Sequence, residues 1–326
     1  MISRVADHCF WLGRYLERAE SAARVLGVSR NLVLDAGLAP RQVWLPVIIV
    51  AGEEERFQTR FGAAAAQDGE EVQDYLTWEK ENPCSIARSL SAARDNARSI
   101  REVVSLEMWE AMNFLYLWMN SPEARAEWRD DRHAFYRRIK TSAQSVQGIV
   151  SGTMLHDDAL HFIELGMLLE RAGQTARILD VHYHAFKSLG AHDVLETALS
   201  LALLRACSGF EPFMKRHQAG VSSDAVARFL VFEPLFPRSV RFALKEANQR
   251  LARIRPPEEE ELPGEEAQLR LLRLAAWLDG RERDFDPGRL HEVLTVVVDE
   301  TSGIAEDIGH ELLAQAPPLA RQAQAQ

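Results

Sequence analysis

Two stretches decide the architecture: "GRYLERAESAARVLGV" at 13–28 and "GMLLERAGQTARILDV" at 166–181. Both write Leu-Glu-Arg-Ala and then Ala-Arg, at a separation of 153 residues. Around the first, Val5, Cys9, Leu12, Leu16, Ala19, Ala23 and Leu26 step alternately by four and three. That spacing keeps them on one stripe of a helix, with Ser3 placed to cap its start. Around the second, Phe162, Leu165, Leu169, Ala172, Ala176 and Leu179 repeat the same steps. The seams carry small residues at matched positions, Gly13/Gly166, Ala19/Ala172 and Ala23/Ala176, which lets a neighbouring helix approach closely.

The likeness extends outward. "YLTWEKENPCSIARSL" at 75–90 pairs with "FLVFEPLFPRSVRFAL" at 229–244, offset by 154, with Glu79/Glu233, Pro83/Pro237, Ser85/Ser239 and Leu90/Leu244 identical. "AGEEERF" at 51–57 loosely resembles "CSGFEPF" at 207–213. Constant order at a nearly constant offset predicts an internal duplication of about 150 residues. The expected fold is all-α: one domain, a helical bundle of two duplicated halves, about 1–153 and 154–314, with a disordered tail at 315–326. Asn82-Pro83 predicts a helix start, as N-cap followed by proline. The stripe from Ile86 through Ile100 and Met108 to Leu115 predicts one long helix, straight or kinked. "RPPEEEELPGEE" at 255–266 predicts an acidic loop, with helices resuming at about 264–281 and 288–314.

Composition bounds the function. The 326 residues are 47% hydrophobic, enough for a substantial core, and 48 acidic against 38 basic residues give a net charge of −10. This balance argues against a general nucleic-acid binder and against a polybasic membrane-surface protein. Cys9, Cys84 and Cys207 form neither a disulfide framework nor a zinc pattern and suit a reducing compartment. "MISRVADHCFWLGR" carries charges throughout, unlike a signal peptide, and the longest apolar run, at 43–52, is too short to span a bilayer. A soluble cytoplasmic protein is expected.

Candidate chemistry lies on charged flanks. Glu17 and Arg18 flank the first seam, with Arg14, Ser21 and Arg24 as helical neighbours; Glu170, Arg171, Gln174 and Arg177 reproduce the pattern. Either these form helix-surface or inter-helix salt bridges, or they meet between the halves as a buried charged site, where each charge needs a partner. Arg94, Arg98 and Arg101 make a like-charge row that weakens an isolated helix. Such a row calls for an acidic counterpart: Glu17 and Glu170 from another helix, or an anionic ligand. Glu107 and Glu110, around Trp109, are either exposed acids or part of the same polar interior. Asp307-x-x-His310 and the run from His156 to His161 are the nearest approaches to a metal pattern, and no metal or cofactor is expected. Cys84, just after Pro83, is a weak candidate nucleophile, because its matched position holds Arg238.

"SRVADHCFWLGRYLERAESAARVL", "ARDNARSIREVVSLEMWEAMNFLY", which includes Asn96, "FEPLFPRSVRFAL" and the second "LERA" together resemble the alpha-E family. These are bacterial all-helical proteins of uncharacterised activity with a Glu-Arg motif. The resemblance covers nearly the whole chain and places that motif on Glu17-Arg18 and Glu170-Arg171. It implies association with circularly permuted ATP-grasp ligases and a role in making or modifying a peptide. Met167 stands where the motif would place Arg, so the second copy is expected to bind charge more weakly and any site to be weighted toward Glu17. His8 replaces an expected polar amide. Three readings follow: an accessory subunit whose Glu/Arg-rich interior holds an anionic or peptide ligand; an enzyme using Glu17 or Glu170 as general base with arginines stabilising an oxyanion; or a scaffold held by inter-helix salt bridges.

Overall fold

Helical periodicity in the seams is realised throughout. The computed structural model of the chain describes residues 3–35, 38–188, 193–217, 220–256 and 262–313. The tail at 315–326 and the middle of the acidic loop lie outside the described residues. Among those described, every regular element is helical: α1 (Ser3–Asp35), α2 (Pro40–Val50), α3 (Glu54–Phe61), α4 (Gly69–Trp78), α5 (Ile86–Ser99), α6 (Leu106–Met119), α7 (Pro122–Asp130), α8 (Arg132–Thr153), α9 (Asp158–Ser188), α10 (Asp193–Ala206), α11 (Phe210–Arg216), α12 (Ser223–Phe232), α13 (Val240–Ile254), α14 (Glu265–Arg281) and α15 (Leu290–Glu311).

α1 and α9 are the axis of the molecule. They contain the two quoted stretches, run 33 and 31 residues, and pack against each other. At a rise of 1.5 Å per residue each is roughly 45–50 Å long. α5 and α8 cover α1, while α13 and α15 cover α9. The central crossing depends on two glycines. A Cβ on Gly13 would overlap the carbonyl oxygen of Ile163, and a Cβ on Gly166 would overlap that of Phe10. Ile163 and Phe10 are themselves 153 residues apart, so the close approach is reciprocal. Seam residues from both helices, Leu12, Leu16, Ala19 and Ala23 with Leu165, Leu169, Ala172 and Ala176, are all buried in a single continuous core. The seams of α1 and α9 therefore share one core.

Paired capping turns recur on the periphery. Ser85 and Ser239 cap α5 and α13, accepting from the backbone N–H of Arg88 and Phe242. Each hydroxyl also donates to a backbone carbonyl six residues back, Glu79 or Glu233, at 2.6 Å. The identities Glu79/Glu233 and Ser85/Ser239 thus mark the same turn built twice. Two expectations are corrected here. Asn82 does not cap a helix: its Oδ1 accepts from the Cys84 N–H in a tight turn, and α5 starts later, after Ser85. The helix expected through 86–115 is broken at 100–105, where Ser105 caps a new helix by accepting from the Met108 N–H. Ile100, Val104 and Met108 stay buried across the break, so the apolar stripe continues through a turn that periodicity cannot reveal.

Candidate functional site

Just beyond the glycine crossing, the flanks of α1 and α9 face each other and their Glu-Arg pairs are exchanged. Arg18 Nε donates to Glu170 Oε1 at 2.8 Å, and its Nη2 to Oε2 at 3.0 Å, the two-pronged geometry that suits a guanidinium and a carboxylate. Arg171 Nη2 donates to Glu17 Oε2 at 2.7 Å. Each glutamate also takes a second arginine. Arg14 donates to Glu170 Oε2 at 2.9 Å, and Arg238, in the turn before α13, donates to Glu17 Oε1 at 2.7 Å. Gln174 completes the shell of Glu170, and Gln147 and Ser21 that of Glu17. Both carboxylates are buried, Glu17 completely. Burial pushes their pKa values up, but the facing arginines more than offset it, Arg171 and Arg238 for Glu17, Arg18 and Arg14 for Glu170. Both acids are held well below the ordinary glutamate value and stay ionised.

The network continues along α1. Arg238 Nη2 donates to Glu20 Oε1 at 2.7 Å, and Gln147 Nε2 to Glu20 Oε2 at 2.7 Å. Arg24 holds Glu20 from one turn further on and donates to the Ser208 hydroxyl. Three buried carboxylates, Glu17, Glu20 and Glu170, therefore face six guanidiniums, those of Arg14, Arg18, Arg24, Arg171, Arg177 and Arg238. Within this cluster guanidiniums outnumber carboxylates. Arg24 and Arg177 bear the excess: burial, and then neighbouring arginines, lower the proton affinity of both.

A Glu-Arg motif on helices is also the feature by which one family is described. Residues 1–313 match Alpha-E, described as a predicted alpha-helical domain with a conserved ER motif. The chain belongs to the Alpha-E family. It is 25% identical over 305 residues, 89% of its length, to an uncharacterised protein of Mycobacterium bovis, and equally to uncharacterised proteins of two Mycobacterium tuberculosis strains. It spans about a third of the length of these relatives. No solved structure matches it.

Within this Alpha-E fold the predicted residues separate into two groups. Arg14, Glu17, Arg18, Arg24, Glu170, Arg171 and Arg177 gather between the halves. Arg94, Arg98 and Arg101 do not join them, and neither glutamate is the acidic partner of the row. Arg94 and Arg98 pair with Asp95, and Arg94 and Arg101 lie over the Trp109 ring. Asn96 Oδ1 accepts from His8 Nδ1 at 2.8 Å, and Glu107 and Glu110 are exposed. The row comes to rest on the aromatic face of α6 because stacking and one aspartate neutralise it locally.

The weighting toward Glu17 is likewise corrected. Arg14 serves Glu170 across the crossing, not its own helix, and Arg238 replaces the arginine that Met167 lacks, so both glutamates hold two arginines. Arg238, Glu20, Gln147 and Ser208 went unrecognised as site residues. Arg238 had a signal, since it occupies the position of Cys84 in the other half; Gln147 and Ser208 had none. The cysteines are unsuited to attack. Burial, with Asp157 and Glu102, pushes Cys9 up to about 12; burial pushes Cys207 to about 11 and Cys84 upward despite Arg18. Among the described residues no three His, Cys, Asp or Glu side chains gather to hold a metal, and no helix is long and apolar enough to cross a membrane.

Proposed function

We propose that this Alpha-E chain is a non-catalytic accessory subunit of a cytoplasmic peptide-forming or peptide-modifying system in which an ATP-grasp-type ligase performs the chemistry. The observation that carries the reading is the exchanged Glu-Arg network. A general base needs a proton affinity near neutrality and reach to a substrate. Glu17 and Glu170 have neither: each is buried, held ionised and occupied by two arginines. The motif therefore fixes how α1 and α9 meet, which also favours the scaffold reading for these residues. Partner contact then falls on the surface, where the arginine row over Trp109 and Tyr116 presents cations. The mycobacterial relatives extend well beyond the matched part, which suits a module that works joined to other units.

The test is co-purification of the full chain with an ATP-grasp-type protein encoded beside it, together with assay of each alone and combined. A stable complex, activity only in combination, and weakened association in Arg98→Ala/Arg101→Ala with an unchanged melting temperature are expected. Turnover by the chain alone that disappears in a folded Glu17→Gln variant would overturn the accessory reading in favour of the enzyme.

A further inference from the structure

Beside Arg24 the molecule opens into a cleft of about 350 Å³ between α1, α8 and the junction of α10 with α11. It is lined by Arg137, Lys140 and His133 from α8, Arg205 from α10 and a single acid, Glu211. None of these four basic side chains makes an ion pair among the described residues; Arg205 lies over the Phe210 ring. Beneath them is Arg24, whose guanidinium is committed to Glu20 and Ser208 and contributes charge to the floor. Lys140 holds its proton less tightly than an ordinary lysine, through burial first and then Arg24. Glu211 is the one acid in the cleft lining, and Glu20 beneath it is engaged by Arg24, Arg238 and Gln147, so basic side chains outnumber acidic ones here.

A second observation marks the same place. α10 ends with the Gly209 N–H bonded to the Leu204 carbonyl and the Ser208 N–H to that of Arg205. This helix end places one residue in the left-handed region, normally a glycine. Here that residue is Ser208, with φ at 52°, and it is the one non-glycine with positive φ among the described residues. The matched end of α2 makes the same pair of bonds, Gly52 to Ile49 and Glu53 to Ile48, and uses Gly52. Left-handed backbone costs a side-chain-bearing residue roughly fivefold to thirtyfold in population. What the serine adds is a hydroxyl that receives Arg24 and aims it at the cleft floor.

We propose that this cleft binds the phosphoryl group of a small phosphorylated molecule, with Arg137 and Lys140 as its donors from α8, Arg205 closing from α10, and Arg24 supplying charge from below. A compact anion with three or more oxygens and about two charges can engage cations on two walls at once. One carboxylate, with two oxygens and one charge, leaves most of the cluster unanswered. The cleft adjoins the buried Glu-Arg network through Arg24, while Arg137, Lys140 and Arg205 lie outside that network, and the proposal does not depend on the accessory reading.

Isothermal titration of the full chain with inorganic pyrophosphate at fixed ionic strength tests this. Saturable binding is expected, weakened roughly tenfold or more in Arg137→Gln, Lys140→Gln and Arg205→Gln, since each removes a charge-assisted hydrogen bond. Arg98→Ala/Arg101→Ala, on the distant row, should bind as the unaltered chain does. All of these side chains are at or near the surface, and unchanged circular dichroism confirms that each variant folds. Absence of saturable binding, affinity in all three cleft variants as high as in the unaltered chain, or loss of binding in the row variant overturns the site. Citrate binding as tightly as pyrophosphate overturns its phosphoryl character.

Discussion

The cleft beside Arg24 and the face beside Arg177 occupy matched places on the two long helices, yet they differ in charge. Laying α15 on α8 by their buried positions, Ile139 with Val297, Val146 with Ile304 and Val150 with Ile308, sets His133 opposite His291, Arg137 opposite Thr295 and Lys140 opposite Val298. Arg205 has Ile49 as its counterpart and Ser208 has Gly52. His291 is answered by Asp180 at 2.8 Å. Inward-facing residues thus match while outward-facing ones diverge. The seam must satisfy two helices in van der Waals contact, where a single methyl group at Gly13 or Gly166 meets backbone; the rim of a cleft carries no such restriction and can specialise on one side.

The comparison can be broken in order of expected effect. Glu17→Ala leaves Arg171 without its carboxylate and Arg238 with Glu20 alone, Glu170→Ala leaves Arg14 and Arg18 without theirs, and each should cost about 3–5 kcal/mol in urea denaturation. Near-equal losses would support equal roles for the halves; a large loss from only one would break the parallel. Acid should produce the same weakness. Both carboxyls are held below their unfolded value of about 4.3, so their contribution is complete above that pH and is lost as pH falls below it toward the folded values. The stability gap between the unaltered chain and Glu170→Gln should therefore narrow from pH 7 to pH 3.5; a gap independent of pH would show that the charge is not what stabilises.

Overpacking comes next. Gly13→Ala and Gly166→Ala should each lower stability by about 1–3 kcal/mol, and by similar amounts, because each Cβ meets the carbonyl of a matched residue. Gly52→Ala should cost about 1–2 kcal/mol for its left-handed backbone. Ser208→Gly should change stability less than that, since relief of strain is offset by loss of the Arg24 contact; a gain as large as the Gly52 loss would show that the contact contributes nothing. Smallest is Arg98→Ala, an exposed side chain paired only with exposed Asp95, expected to stay within about 0.5 kcal/mol.

The seam residues, the small positions and the paired Ser85/Ser239 turns could be read directly, because local spacing and capping chemistry impose them. The membership of the buried network could be read in part. Glu17, Arg18, Glu170 and Arg171 stand out because they recur, whereas Arg238 comes from the turn before α13 and Gln147 from α8, and no local pattern indicates where those helices lean. The arginine row shows the opposite failure: its charge was read correctly, but a neighbouring aspartate and the Trp109 and Tyr116 rings answer it without the glutamates.

The order of the amino acids is sufficient for an all-helical chain with two long amphipathic helices and a charge-bearing flank on each, since side-chain periodicity follows from the 3.6-residue turn. Which glutamate meets which arginine, and on which side cations are left over, is set only when α1 and α9 cross at their glycines. That crossing carries Arg14 and Arg18 to Glu170, brings Arg238 to Glu17, and leaves Arg24 at the floor of an unanswered cationic cleft, because buried charges must find partners within a few ångströms in space rather than along the chain.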